Sequence, residues 1–145
     1  MGAESLVEAG FVVVLAWASA SDLRGRIIPD RCSLLGAVLF TAGLAVGGPG
    51  TAAHVAWGVG LLGLFGVAAV ARPGALGGGD VKLAGVVGLA TGPGAPLAVI
   101  LGLAAALAWA WCREMLVPGP SDRPRTIALA PWLSLGAAGA LGLVG

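Results

Sequence analysis

The sequence predicts an all-α, polytopic integral membrane protein with about six transmembrane helices, folded as a single membrane-embedded domain over residues 1–145. Three observations predict it. Of the 145 residues, 58% are hydrophobic and only 10% charged, and the mean hydropathy is +0.98, whereas a soluble domain has about 45–50% apolar and about 25% charged residues. The apolar residues gather into six runs, at 6–21, 32–47, 52–71, 81–91, 96–112 and 127–144. All eight Lys and Arg residues fall in alternate gaps between those runs, Lys82 at the very edge of the fourth run.

The runs are justified in order. The first follows Glu4 and Glu8 with no Lys or Arg before it, the reverse of a secretory leader, so Ala18-Ser19-Ala20 reads as part of a retained span rather than a cleavage site. The second follows Pro29-Asp30, where Asp30 is expected to cap the helix. Only the third reaches the ~20 residues of a full crossing, so the hydrophobic belt is expected to be thin. The fourth is cut short by Gly92-Pro93-Gly94-Ala95-Pro96, and its helix is expected to begin inside the membrane near Asp80. Gly60, Gly63 and Gly66 in the third run, and Gly136, Gly139 and Gly142 in the sixth, offer small faces for close helix packing.

Charge then sets the topology. The first gap holds Arg24, Arg26 and Arg31, the third Arg72 and Lys82, and the fifth Arg113, Arg123 and Arg125, while the second and fourth hold none. The positive-inside rule puts these three gaps in the cytoplasm and both termini outside. Two crossings separate Asp22 from Asp80, so they share a side whichever way the chain is inserted.

Those two acids are the candidate chemistry. Ionisable groups at a membrane boundary are costly unless paired or hydrated. Taken singly, Asp22 beside Arg24 and Arg26, or Asp80 beside Lys82, is equally well a surface ion pair. Gly77, Gly78 and Gly79, just before Asp80, remove side-chain bulk and permit positive φ, so that a sharp bend and a close-lying peptide substrate are expected there. A phosphate loop is disfavoured, because Gly-x-x-x-x-Gly-Lys-Ser/Thr and any βαβ context are missing. Cys32 and Cys112 have no ligand partners at metal spacing and read as small buried hydrophobes. His54 reads as a satisfied or interfacial histidine. Neither a cofactor nor a metal is called for, and no basic stripe suggests nucleic acid.

Asp22 with Ile28-Pro29-Asp30, and Gly77-Gly78-Gly79-Asp80-Val81-Lys82, carry a resemblance. The chain resembles the type IV prepilin peptidases, membrane aspartyl proteases related in motif to preflagellin peptidases and presenilins. Ala130-Pro131-Trp132-Leu133 is a looser echo of a third family block. The resemblance implies an aspartic endopeptidase of the bacterial cytoplasmic membrane, with Asp22 and Asp80 as the catalytic pair at the cytoplasmic face. Gly77, Gly78, Gly79, Lys82, Pro29 and Asp30 would bind substrate or support the site. The implied partner, besides the lipid bilayer, is a prepilin or pseudopilin precursor whose short basic leader is cut after a glycine preceding a hydrophobic helix. Longer relatives carry a cysteine-bearing methylation domain, so the compact chain resembles the forms serving Flp-type pili.

Helix ends suggest how the pair divides its work. Asp80 would open a helix, where the dipole favours an anion, and Asp22 would close one, where it does not, so Asp22 is expected to carry the shared proton. The competing class is a small ion-coupled transporter or channel, which calls for an acid in mid-span and for two similar halves. A purely structural membrane subunit explains the glycine faces but leaves the two acids unexplained.

Overall fold

In the computed structural model, residues 3–25, 28, 30–45, 51–74, 76–116 and 128–144 are described. Among them the regular structure is entirely helical: α1 (Ala3–Gly25), α2 (Asp30–Ala45), α3 (Thr51–Ala71), α4 (Gly78–Thr91), α5 (Ala95–Leu116) and α6 (Ala130–Val144), with a 3-10 turn at Gly92–Gly94 between α4 and α5. The apolar runs became the helices, and each break fell where glycine, proline or charge interrupts the pattern.

Successive helices are antiparallel. Gly10 of α1 meets Leu39 of α2, and deeper along α1 Val14 approaches Gly36. In the α3–α4 pair, His54 lies against Gly92 and Gly66 against Val81. In the α5–α6 pair, Trp109 packs on Trp132 with ring centroids 6.0 Å apart, and Gly136 meets the main chain of Ala98 and Gly102. Helix α2 runs parallel to α4, since Ile28 packs on Gly79 and Gly36 on Val86. The C-terminal ends of α1, α3 and α5 therefore lie at the same end of the bundle as the N-terminal ends of α2, α4 and α6.

Helix α4 is the hub, packed against all five other helices. Its residues Leu83, Ala84, Gly85, Val86, Val87 and Gly88 are all buried, as expected of a helix apolar on every side. A Cβ on Gly88 would stand 2.6 Å from the Trp57 carbonyl oxygen, so the α3 and α4 backbones touch there with no room for a side chain.

The small faces were only partly placed by the glycine spacing. Gly136 and Gly139 pack between α5 and α6, but Gly60 and Gly63 have nothing within 4 Å and face away from α4; the close approach uses Gly58, Gly85 and Gly88 instead. Cys32 is buried as expected, whereas Cys112 is exposed. His54 is satisfied, its Nδ1 lying 2.8 Å from the Leu89 carbonyl oxygen.

Two stretches are long and apolar enough to cross a bilayer, Ala52–Ala71 and Gly78–Leu116, the second folded back at the 3-10 turn. The outer surface is apolar, with Val67, Val70, Ile100, Leu107, Trp109 and Trp111 all more than half exposed, the character of a lipid-facing exterior.

Candidate active site

Asp22 lies in the last turn of α1 and Asp80 is the third residue of α4, so both are at the same end of the bundle. Helix α4 has 14 residues and spans about 21 Å, short of the ~30 Å hydrocarbon thickness. Its far end is level with the first turn of α3, where Gly92 meets His54. At the near end Gly66 faces Val81, and α3 runs on to Ala71, about 7 Å further. Asp80 is thus recessed by roughly one helical turn below the rim.

Asp22 is 6% exposed, and its carboxylate is held by a third helix. Oδ2 accepts a hydrogen bond from the Ala130 main-chain N–H at 3.0 Å. Helix N-termini leave their first N–H groups without intrahelical partners, and here the accounting closes. Pro131 has no N–H, the N–H groups of Trp132 and Leu133 both donate to Leu129 C=O at 3.1 Å, and Ala130 donates to Asp22. One turn deeper, Ser19 Oγ is 2.9 Å from Ser134 Oγ and 2.8 Å from Leu15 C=O. Ser134 Oγ also approaches Ala130 C=O at 2.8 Å and Leu15 C=O at 3.3 Å. These links set the register of α1 against α6.

Asp80 is half-buried and caps its own helix: Oδ2 accepts from Gly77 N–H at 3.2 Å, while Gly77 C=O accepts from the N–H groups of Asp80 and Val81 at 3.0 and 3.3 Å. The two helix ends are bridged by Ile28, 8% exposed, which lies on Gly79 so closely that a Cβ there would be 2.8 Å from the Ile28 Cβ.

The glycines serve differently from the expectation. Gly77 has φ −75° and ψ 148°, and among the described residues only Gly74 and Gly92 have positive φ. No left-handed bend stands beside Asp80. Gly79 is needed for its missing Cβ, and Gly78 has nothing within 4 Å, leaving the backbone open before the acid. Lys82 is exposed on the first turns of α4. Pro29 lies outside the described residues, as does the side chain of Asp30, which begins α2.

Arg24, Arg31, Arg72, Lys82 and Arg113, all exposed, lie at this same end, and among the described residues no Lys or Arg lies elsewhere. Sequence reasoning missed Ala130 and Ile28, which act through a main-chain N–H and a packed side chain. The only available signal for Ala130 was the Ala130-Pro131-Trp132 block.

Among models of known families, that of the type IV leader peptidase family matches residues 9–112, a stretch containing Asp22, Gly77, Gly78, Gly79 and Asp80. No curated protein and no solved structure matches the chain to a comparable standard.

Proposed function

The chain belongs to the type IV leader peptidase family, and on that footing we propose that it is a membrane aspartic endopeptidase whose catalytic pair is Asp22 and Asp80. It crosses the bacterial cytoplasmic membrane six times, with both termini outside and the acids at the cytoplasmic edge. The substrate is a Flp-like prepilin or pseudopilin precursor, cut after the glycine that joins its short basic leader to its apolar helix. The observation that carries this reading is the convergence of two acids, 58 positions apart in sequence, at the one end of the bundle that also bears the described basic residues. Cations at one end favour the cytoplasmic side of a membrane.

Two carboxylates within about 3 Å of each other share a proton, because both cannot remain ionised at that distance. The ionised member takes a proton from a water molecule as that water attacks the scissile carbonyl. The protonated member hydrogen-bonds the carbonyl oxygen and later protonates the leaving amine. Each carboxylate is oriented by a main-chain N–H donor, so the pair is held by rigid helix ends rather than by loops. The open backbone at Gly78 gives an extended peptide room to lie beside Asp80. A substrate helix already in the bilayer arrives with its depth fixed, which limits the search to two dimensions.

The test is co-expression with a tagged precursor, scoring cleavage by the wild type, Asp22→Ala and Asp80→Ala. The wild type cleaves and neither variant does. Processing by either variant would remove the dyad.

A further inference from the structure

We propose that Ala130 is a positioning residue for Asp22, acting through its main-chain N–H at the start of α6. The inference rests on the reading of Asp22 as a catalytic acid. It adds α6, which lies beyond the family-matched stretch, to the machinery of the site.

The geometry points to a reciprocal arrangement. Leu129 is the capping residue, with its carbonyl already accepting from Trp132 and Leu133, so Ala130 is the first residue of the helix and its N–H has no intrahelical acceptor. Pro131 supplies no N–H, which leaves Ala130 as the donor that α6 presents at its opening. Ala130 is fully buried, where an unmade hydrogen bond is costly. The acceptor it finds is the carboxylate of Asp22, 108 positions away. Helix α6 therefore needs Asp22 to complete its N-terminus, and Asp22 takes its orientation from α6. The Ser19–Ser134 contact, one turn deeper on the same two helices, keeps them from sliding and holds Ala130 opposite Asp22.

Proline is well tolerated at the first position of a helix, so Ala130→Pro removes the donor with little demand on the helix itself, and its ring carbon takes the place of the proton facing Oδ2. Ala130→Gly keeps the donor. With the tagged precursor, Ala130→Pro is expected to lower kcat by about 100-fold, as a misplacement of about 1 Å does, with KM within about twofold of wild type. Ala130→Gly restores kcat. Wild-type kcat in Ala130→Pro overturns the proposal.

A second measurement covers a proline variant that does not fold and is independent of activity. Hydrogen exchange of the Ala130 amide in detergent-solubilised full-length protein is expected to be about tenfold or more faster in Asp22→Ala than in wild type, and to stay slow in Asp22→Asn, whose carbonyl still accepts. Unchanged exchange in Asp22→Ala overturns the contact. If the wild type cleaves no precursor, the leader-peptidase reading fails by itself, and the exchange result still decides whether Asp22 and α6 hold one another.

Discussion

Gly79→Ala adds one methyl group at the seam of the proposed site. The new Cβ would stand 2.8 Å from the Cβ of Ile28 and 3.2 Å from its Cγ1. Because the nearest atom is Cβ, no rotamer change relieves the clash, and the backbone linking α1 to α2 must move. Overpacking of this kind costs about 1–3 kcal/mol, offset by about 0.5–1 kcal/mol from replacing glycine within a helix. A net loss of about 1–2 kcal/mol lowers Tm by several degrees, at about 2–4 °C per kcal/mol. Processing falls by about tenfold or more, because the displaced Ile28 stands six residues after Asp22. The assay is thermal unfolding in detergent together with precursor cleavage, in three backgrounds. Ile28→Ala keeps the offending Cβ and should not rescue Gly79→Ala. Ile28→Gly removes it, and Gly79→Ala should then stabilise by about 0.5–1 kcal/mol. A Gly79→Ala protein as stable and active as wild type would refute the reasoning that this linker rests on α4.

Other substitutions separate contact from spacing. Gly88→Ala meets backbone atoms of Trp57 and Gly58 within 2.8 Å, so it should lower Tm more than Gly79→Ala, whereas Gly60→Ala and Gly63→Ala meet nothing within 4 Å and should be neutral or slightly stabilising in the same unfolding assay. Ser134→Ala loses its links to Ser19 and Leu15 and should cost about 0.6–1 kcal/mol, with cleavage lowered less than in Ala130→Pro because the Ala130 donor remains. His54→Ala loses the bond to Leu89 at the end remote from the acids and should cost about 1 kcal/mol without lowering kcat. A precursor with three extra residues between its scissile glycine and its apolar helix carries the bond about 10 Å outward when extended, beyond the roughly 7 Å recess of Asp80; cleavage should slow at least about tenfold, and an unchanged rate would show that depth does not select the bond.

The helix order was legible because apolar runs and their breaks are local facts: 81–91 became Gly78–Thr91, and the Gly92-Pro93-Gly94 interruption became the 3-10 turn. The common end of the bundle for Asp22 and Asp80 was legible as well, since it needs only the count of helix reversals between them. Helix neighbours were not. The glycine repeat at 60, 63 and 66 has the spacing of a packing face, but which face of α3 meets α4 depends on the rotation of the helix, and the contact settled on Gly58 with Gly85 and Gly88. Cys112, exposed at the end of α5, shows the same limit. An apolar neighbourhood in sequence does not distinguish protein interior from bilayer, because both accept the same side chains.

The assignment of the shared proton by helix ends turns on what was invisible in sequence. Asp22 closes α1, and one helix considered alone makes that an unfavourable place for an anion. The structure brings the N-terminus of α6 to the same carboxylate, with the Ala130 N–H 3.0 Å from Oδ2, so the dipole of α6 opposes that of α1. Asp80 receives the matching arrangement from its own helix through Gly77 N–H. Each acid therefore sits at a helix N-terminus, and the dipole difference that separated them on sequence grounds is cancelled. What still distinguishes them is placement. Asp22 is buried and tied to a distant helix, while Asp80 is half-buried beside an open glycine backbone, the side from which a peptide can approach. In the proposed dyad the division of labour between the two acids then follows from which one the peptide and its water reach, and the proton belongs to the pair.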